Sequence, residues 1–168
     1  MYDRPVRIEL LLASPLHRYE GRPSDGPRDA ISPELPASIE VRAGLGIVGD
    51  RYFNQRAHRT ASVTVMAIES IERLGAAANP ADARRNVYVR DLDIDSMRDE
   101  ELWLGDVLFR VHRPANPCAW MDVALAPGAH RALRGRGGMR CEPLTSGTLH
   151  LGPVTARTVH PPALVPLF

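Results

Sequence analysis

The sequence predicts a mostly β protein, a barrel or sandwich of short strands with only brief helices. Short apolar segments with strand-like composition recur along the chain, and turn residues such as Ser146-Gly147 and Gly152-Pro153 separate them. The few helical patterns are short, and glycine or proline ends them. The 168 residues fit one domain that buries a substantial core.

The strand predictions rest on β-branched content or on alternation of apolar and polar residues. In the segment 106–113, Val107, Phe109 and Val111 are expected to share one face. Predicted strands are Val6–Ala13, Ala37–Arg42, Ser62–Ile68, Asn86–Arg90, Asp106–Arg113, Gly138–Leu144, Thr148–Leu151 and Val154–Val159.

Helical patterns fall between these strands. They cover Glu69–Gly75, Cys118–Ala126 and Ala129–Arg134, and a further short helix starts with Asn79 as N-cap and Pro80 as first residue. Residues 14–36 are rich in proline and predict one long surface loop. The domain core is expected within about residues 37–160, with an irregular tail at 161–168.

The composition excludes several classes of chemistry. All 21 basic residues are arginine, so no lysine can form a Schiff base or complete a P-loop. A net charge of +1 gives no general attraction to nucleic acid. The sequence contains no apolar run long enough to span a membrane, and its first residues do not resemble a signal peptide. These features favour a cytoplasmic protein.

Cys118 is the first candidate for chemistry. With Asn116 as N-cap and Pro117 as the first helical residue, Cys118 would lie in the first turn of a helix. The positive end of the helix dipole would then favour the thiolate, the form that binds soft metals or carries sulfur. The alternative is a small buried core residue. Cys141 alternates with Met139 in a predicted strand and is expected in the core.

Two clusters of basic residues could bind an anion. Arg84, Arg85 and Asn86 lie at a predicted helix-to-strand junction and could hold a phosphate or a polar heterocycle, or could be an exposed helix end. In the stretch 131–140, arginines alternate with glycines that allow a close approach of the backbone to an anion. The alternative is a glycine-rich turn on a basic surface. Arg51, in Gly49-Asp50-Arg51, could frame a pocket with His58 or form a local ion pair.

Several segments together, in this order, resemble the MOSC domain, named after the C-terminal domain of molybdenum cofactor sulfurase. The resemblance covers residues 37–160. The segments are GLGIVGDRY (44–52), SVTVM (62–66), RRNVYVRDLDI (84–94), LGDVLF (104–109), RPANPCAWMD (113–122), PGAHRALRGRGGMRCEPL (127–144) and GTLHLGP (147–153). Ser62 stands where family members often have Gln, and Tyr52 where they often have His.

The resemblance implies a β-barrel fold with short helices and a binding site for the molybdenum cofactor, in which a pterin dithiolene holds the metal. Cys118 matches the family cysteine, which ligates molybdenum in enzymatic members or carries a persulfide in sulfur transfer. The clusters Arg84, Arg85, Asn86 and Arg136, Gly137, Gly138 match the groups expected to hold the pterin and its phosphate, and Arg51 is expected to join them.

Three functions remain open from the sequence. The protein could reduce N-hydroxylated compounds, with electrons from an external flavoprotein or ferredoxin-type donor. It could accept a persulfide sulfur on Cys118 from a cysteine desulfurase, or it could be a noncatalytic carrier of the cofactor. The chain has no desulfurase domain of its own and no lysine for one. The sequence makes no prediction of the oligomeric state.

Overall fold

The predicted β-barrel with short helices is confirmed by a computed structural model, which describes residues 1–29 and 33–166. The strands are β1 (Tyr2–Leu11), β2 (Ser38–Arg42), β3 (Gly46–Ile47), β4 (Val63–Ala67), β5 (Val87–Arg90), β6 (Glu101–Leu104), β7 (Val107–Pro114), β8 (Met139–Pro143), β9 (Gly147–His150) and β10 (Gly152–Thr158). The α-helices are α1 (Ile68–Glu72), α2 (Trp120–Ala124) and α3 (Ala129–Ala132).

Seven strands close the barrel in the order β1-β10-β6-β7-β8-β4-β5. Neighbours are antiparallel except β4 and β5, which are parallel and in register at Val65 and Val87. β1 pairs with both β10 and β5 and so closes the barrel, although it precedes the segment 37–160 expected to hold the core. A separate three-stranded sheet has the order β3-β2-β9.

The apolar residues form two buried clusters. The larger fills the barrel, and Val107, Phe109 and Val111 of β7 all point into it, as their alternation predicts. The smaller lies between the outer face of β4 and β5, where Met66 and Tyr88 project, and the short helices. Because β4 faces a cluster on each side, all five of its residues are buried. The β-branched run at 62–68 is therefore a core strand, as predicted.

One helix start matches the sequence in detail, and another does not. The Asn79 side chain accepts a hydrogen bond from the Ala81 amide (3.1 Å) at the head of a 3₁₀ helix, Pro80–Ala83. The helix expected at Cys118, however, begins at Trp120, and no side chain caps it. The prediction that Asn116 is an N-cap and Cys118 lies in the first turn is wrong.

Contacts with the barrel explain this difference. The Ala115 amide donates to the Gly138 carbonyl (2.8 Å), and the Ala115 carbonyl accepts from Arg85 (3.0 Å). The chain after β7 therefore stays tied to the barrel edge for several residues before it can turn into a helix. Sequence patterns also did not reveal β3 or β6, which are only two and four residues long.

The described parts of the two segments expected to be irregular contain no α-helix or strand. Residues 14–29 and 33–36 include one 3₁₀ turn, Pro23–Asp25, and residues 161–166 have no regular structure. The remaining positions, 30–32 and 167–168, lie outside the described residues. Among the helices that the structure describes, none has the length and apolar character required to cross a membrane.

Candidate functional site

Cys118 lies on the rim of a cleft of about 180 Å³. Its side chain is exposed, and its carbonyl accepts a hydrogen bond from the Met121 amide (2.9 Å) at the start of α2. Cys141, in contrast, is fully buried in β8, where burial raises the pKa of its thiol far above the usual range. Both cysteines are free thiols. The structure therefore places one thiol where a ligand can reach it and one in the core, as expected for Cys141.

The cleft is strongly basic. The arginines that line it are Arg18, Arg51, Arg84, Arg85 and Arg140. The described lining residues include no Asp or Glu. Of the sequence-predicted site residues, the structure thus brings Arg51, Arg84, Arg85 and Cys118 together around one space.

Arg85 is a buried cation, and the described groups that hold it are all neutral. It is 9% exposed, and its guanidinium donates to the carbonyls of Gly137 (2.8 Å), Ala115 (3.0 Å) and Ala83 (3.1 Å). Burial lowers the pKa of Arg85, with a further contribution from Arg140, but an arginine stays protonated. Because no carboxylate contacts this guanidinium among the described residues, its charge remains available to attract an anion in the cleft.

Arg84 and Arg51 are neutralised in part by acids behind the cleft. Arg84 adopts a left-handed conformation (φ 59°), and its guanidinium pairs with Glu34 (2.5 Å). Arg51 pairs with Asp50 (3.3 Å) and donates to the Arg84 carbonyl (3.1 Å). The Arg84 guanidinium also donates to the Leu16 carbonyl (3.0 Å), so Arg84 ties Leu16 and Glu34 of the long loop to the barrel.

Asn86 is buried and does not line the cleft. Its Oδ1 accepts from the Thr64 amide (2.9 Å) and hydroxyl (3.0 Å), and its Nδ2 donates to the Leu12 carbonyl (3.0 Å). These bonds join the end of β1, β4 and the start of β5. The structure therefore gives Asn86 a position in the frame beneath the site and not on its surface.

The glycine-rich cluster also lies mostly outside the cleft. The Gly138 amide donates to Asp95 (2.9 Å), and the Gly137 carbonyl holds Arg85, so these backbone groups already have protein partners. A Cβ on Gly137 would lie 2.3 Å from the Ala115 carbonyl oxygen. Arg136 pairs with Asp93 (3.4 Å) and lines a different cavity. The structure does not bring Arg136 or Gly138 to Cys118.

Sequence reasoning did not identify which residues of the loop 14–36 contribute to the cleft. Its residues His17, Arg18 and Tyr19 line one side of the cleft, and Tyr19 stacks on Trp120 of α2 at 5.1 Å between ring centroids. The Tyr19 hydroxyl donates to the Asp82 carbonyl, and burial raises the pKa of Tyr19 to about 12. The unusual length of the loop was the available signal, because long loops in compact domains often carry function.

Arg140 is the second residue that the site predictions left out. It faces the cleft from β8, and no described residue forms an ion pair or side-chain hydrogen bond with it. Its guanidinium lies 5.9 Å from the centre of the Tyr52 ring, which Arg51 also approaches, at 4.7 Å. Arg140 was within the basic stretch 131–140, but only the alternation of β8 distinguishes it from its neighbours.

His17 and His58 both contact Tyr52 edge-on, at 5.5 and 4.8 Å between ring centroids. Burial lowers the pKa of His58, and Arg140, Arg113 and His17 lower it further, so His58 is neutral at pH 7. Tyr52 therefore sits within a ring of cationic and imidazole groups. Arg51 lines the cleft and also forms a local ion pair with Asp50, whereas His58 is not among the lining residues.

The side chains available as metal ligands favour one kind of bound group over another. The described residues contain no group of three His, Cys, Asp or Glu side chains that could hold a bare metal ion. One accessible thiol beside several guanidiniums instead suits an anionic group that brings most of the metal's ligands with it. The cleft is smaller than the ~300–1,000 Å³ of typical ligand sites, so a large ligand would extend over its rim.

Solved structures with a similar fold include the YUAD protein from Bacillus subtilis (TM-score 0.70, 14% identity, 95% of this chain and 99% of that one). YiiM from Geobacillus stearothermophilus (TM-score 0.59, 15% identity) and YiiM from Escherichia coli (0.56, 14%) each match 92% of this chain. The matches cover 75% and 70% of those two chains. At these identities the likeness establishes the fold alone.

No protein with a curated description matches the chain. The sequence model of the MOSC domain matches residues 55–154. This range contains Cys118, Arg84, Arg85 and Arg140, and it covers well over half of the chain. The protein belongs to the MOSC domain family.

Proposed function

We propose that the cleft binds the molybdenum cofactor, with Cys118 as a ligand of the metal, and that the protein reduces N-hydroxylated compounds. The observation that carries this proposal is the exposed Cys118 thiol at the rim of a cleft lined by five arginines and no described acid. Family membership supports an association with this cofactor. The bound cofactor would supply the two-electron redox chemistry that no side chain of the protein can supply.

The protein's own residues would position and neutralise the ligand. Arg140 is best placed to hold its phosphate, because no described residue forms an ion pair or side-chain hydrogen bond with it, and the charge of the buried Arg85 would add to the attraction. Arg51 and Arg18, which also line the cleft, would add charge, and Cys118 would supply a thiolate to the metal. Asn86 would act indirectly, by fixing the strands that carry Arg85.

The reaction requires components that the chain does not contain. Reduction of a hydroxylamine to an amine consumes two electrons and two protons and releases water. An external donor of the flavoprotein or ferredoxin type would deliver the electrons. The exposure of the Cys118 thiol leaves a path for substrate.

The direct test is metal analysis of protein expressed in a host that makes the cofactor. We expect molybdenum to copurify with the wild-type chain and with Cys141→Ser, and to fall about tenfold or more in Cys118→Ser, which should still unfold cooperatively. Wild-type protein free of molybdenum, or full retention by Cys118→Ser, would refute the cofactor site.

The activity is tested separately on the loaded protein. With a chemically reduced mediator as electron donor, we expect conversion of N-hydroxylated bases, such as a hydroxylaminopurine, to the amines. If molybdenum is present and no compound in a broad panel is reduced, the reductase assignment is wrong while the cofactor site stands. The noncatalytic carrier would then be the remaining cofactor function.

The exposure of Cys118 also favours a second function, sulfur transfer. A partner protein can reach this thiol, which could attack the outer sulfur of a desulfurase persulfide, displace the desulfurase thiolate and become a persulfide itself. Incubation with a cysteine desulfurase and cysteine should then add the mass of one sulfur to Cys118. Equal addition to Cys118→Ser protein would exclude Cys118 as the carrier.

A further inference from the structure

The surface beside the Cys118 cleft is basic as well. The segment 51–60, with the sequence RYFNQRAHRT, carries three arginines and one histidine and contains no Asp or Glu. The segment 113–121, which carries Cys118, begins with an arginine and also contains no acid. The whole chain has a net charge of only +1, so this excess of positive charge is local.

His58 shows that these two segments lie side by side. It contacts Tyr52 of the cleft at 4.8 Å between ring centroids, and it ends the 3₁₀ helix Arg56–His58. Burial lowers the pKa of His58, and the charges of Arg140 and Arg113 lower it further, so both guanidiniums lie near this imidazole. Arg113 is opposite Arg140 in the β7–β8 pair. The end of β7 therefore lies beside the arginine-rich turn.

The exposed arginines of this surface have no acidic partner among the described residues. No described residue forms an ion pair or side-chain hydrogen bond with Arg56 or Arg113, and both are exposed. Arg59 is also exposed, and it donates to two neutral groups, the Gly44 carbonyl (3.4 Å) and the Asn54 side chain (3.0 Å). Exposed cations without carboxylate partners produce a surface potential that attracts negative charge. We call Arg56, Arg59 and Arg113 the arginine face.

We infer that the arginine face binds the acidic surface of a ferredoxin-type protein, and this inference rests on the proposed reductase function, which requires such a donor. Cys118 follows Arg113 by five residues and is exposed, so a partner held at this face has its redox centre close to the cleft. The proposed reduction consumes two electrons, and each reduced [2Fe–2S] ferredoxin is oxidised by one electron. Two successive encounters are therefore needed for each amine formed.

The composition of this surface suits short-lived encounters. The exposed residues from 113 to 119 include no large apolar side chain; they are Arg113, Pro114, Asn116, Cys118 and Ala119. Tight interfaces depend on buried aromatic or other large anchors, whereas complementary charges mainly speed association. Electron-transfer complexes are typically small and weak, which lets one oxidised donor leave before the next arrives.

Amide chemical shifts of the protein, titrated with an oxidised acidic [2Fe–2S] ferredoxin at low salt, test this inference. We expect saturable changes at Arg56, Arg113 and Cys118, and weaker binding as the salt concentration rises. A basic cytochrome c is the control redox protein and should cause no saturable change at these residues. Neither Arg56 nor Arg113 lines the cleft, so the result does not depend on how much molybdenum the preparation contains.

Charge reversals separate the arginine face from the rest of the surface. Arg113→Glu and Arg56→Glu should each weaken ferredoxin binding about tenfold, because an attraction becomes a repulsion. Arg7→Glu is the matched control: it changes the net charge equally, at an exposed position of β1 on the far side of the barrel from β7. We expect this control to bind ferredoxin nearly as wild type does, and all three variants to retain the molybdenum of wild type.

Three results would overturn the inference. The first is the absence of saturable shifts at the arginine face with the ferredoxin, and shifts caused by a cysteine desulfurase instead would assign the face to a sulfur donor. The second is an equal loss of binding in Arg7→Glu and Arg113→Glu, which would indicate attraction to net charge alone. The third is an equal response to the basic cytochrome c.

The metal content distinguishes a failure of this inference from a failure of the proposed function. A protein that retains molybdenum but does not bind the ferredoxin refutes the docking surface and leaves the cofactor site standing. A wild-type protein without molybdenum refutes the cofactor site, whether or not the ferredoxin binds.

Discussion

Two parts of the Cys118 cleft differ in how their side chains form hydrogen bonds: the frame beneath the cleft, with Asn86 and Arg85, and the rim, with Arg140 and Cys118. In the frame, the Asn86 amide and the Arg85 guanidinium each make three hydrogen bonds to other groups of the protein. At the rim, Arg140 and Cys118 make no such side-chain bonds with the described residues and face open space. An arginine or amide in a family motif can therefore hold a site together without touching its ligand.

The largest expected effect concerns the frame. Asn86→Ala removes three side-chain hydrogen bonds that join β1, β4 and β5 and leaves buried partners unsatisfied. We expect a loss of about 3 kcal/mol in the free energy of unfolding, measured with urea. Asn116→Ala is the control: an exposed amide of the rim, for which we expect a change within ~0.5 kcal/mol. Equal losses of unfolding free energy in the two variants would show that Asn86 stabilises the fold no more than an exposed residue of the rim does.

The next expected effect is a pH-dependent change in stability at Asp95. The Asp95 carboxylate accepts a hydrogen bond from the Gly138 amide. Burial raises the pKa of Asp95 to about 6, and its Oδ2 has no partner among the described residues. Because the folded state then holds this proton more tightly than the unfolded state, Asp95 lowers stability as the pH rises from 4 to 6.

Asp95→Asn keeps an acceptor for the Gly138 amide but removes the charge. We therefore expect the variant to be more stable than wild type by about 2 kcal/mol at pH 7, and the two to converge near pH 4. Thermal or urea unfolding across this pH range measures the difference. A variant less stable than wild type at pH 7 would mean that the Asp95 carboxylate stabilises the frame by its charge.

A third change acts on the rim. Arg140→Ala removes a cation that lines the cleft and has no ion-pair partner among the described residues, so we expect cofactor or phosphate affinity to fall about tenfold with little change in stability. Arg113 lies opposite Arg140 in the β7–β8 pair and does not line the cleft, so Arg113→Ala is a matched control. If Arg140→Ala mainly destabilises the fold, Arg140 belongs to the frame.

The smallest effect compares the two thiols. Cys141→Ser places a hydroxyl in the apolar barrel interior, and we expect a loss of about 1 kcal/mol in unfolding free energy with molybdenum retention unchanged. Denaturation and metal analysis of the same preparation provide both values. Loss of the metal in Cys141→Ser would reverse the roles assigned to the two cysteines.

The fold was largely predictable because the alternation of apolar and polar residues, and the residues that begin helices and turns, are local features of the sequence. The alternation of 106–113 and the β-branched run of 62–68 became β7 and β4, and Asn79-Pro80 formed the predicted helix start. The helix start at Asn116-Pro117 failed for a nonlocal reason. Hydrogen bonds from Ala115 to Gly138 and Arg85 hold that segment against the barrel, and no local pattern records them.

The site was predictable only in part, because the type of a residue does not reveal which way its side chain points. Cys118, Arg51, Arg84 and Arg85 do meet in one cleft, whereas Asn86 lies beneath it and Arg136 lines another cavity. A glycine next to an arginine indicates that some group lies close to the backbone, but it does not show whether that group is a ligand or another part of the protein. At Gly137 the close neighbour is the Ala115 carbonyl of the protein itself.

The absence of a side chain at Gly137 allows two segments of the chain to lie close together. Ala115 leads into the segment that carries Cys118, and Gly137 leads into the strand that carries Arg140. Any side chain at position 137 would have to push these two segments apart, because its first carbon would overlap the Ala115 oxygen at 2.3 Å. The width of the cleft can therefore be altered from a position outside its lining, which offers a way to adjust ligand size while every residue that faces the ligand is kept.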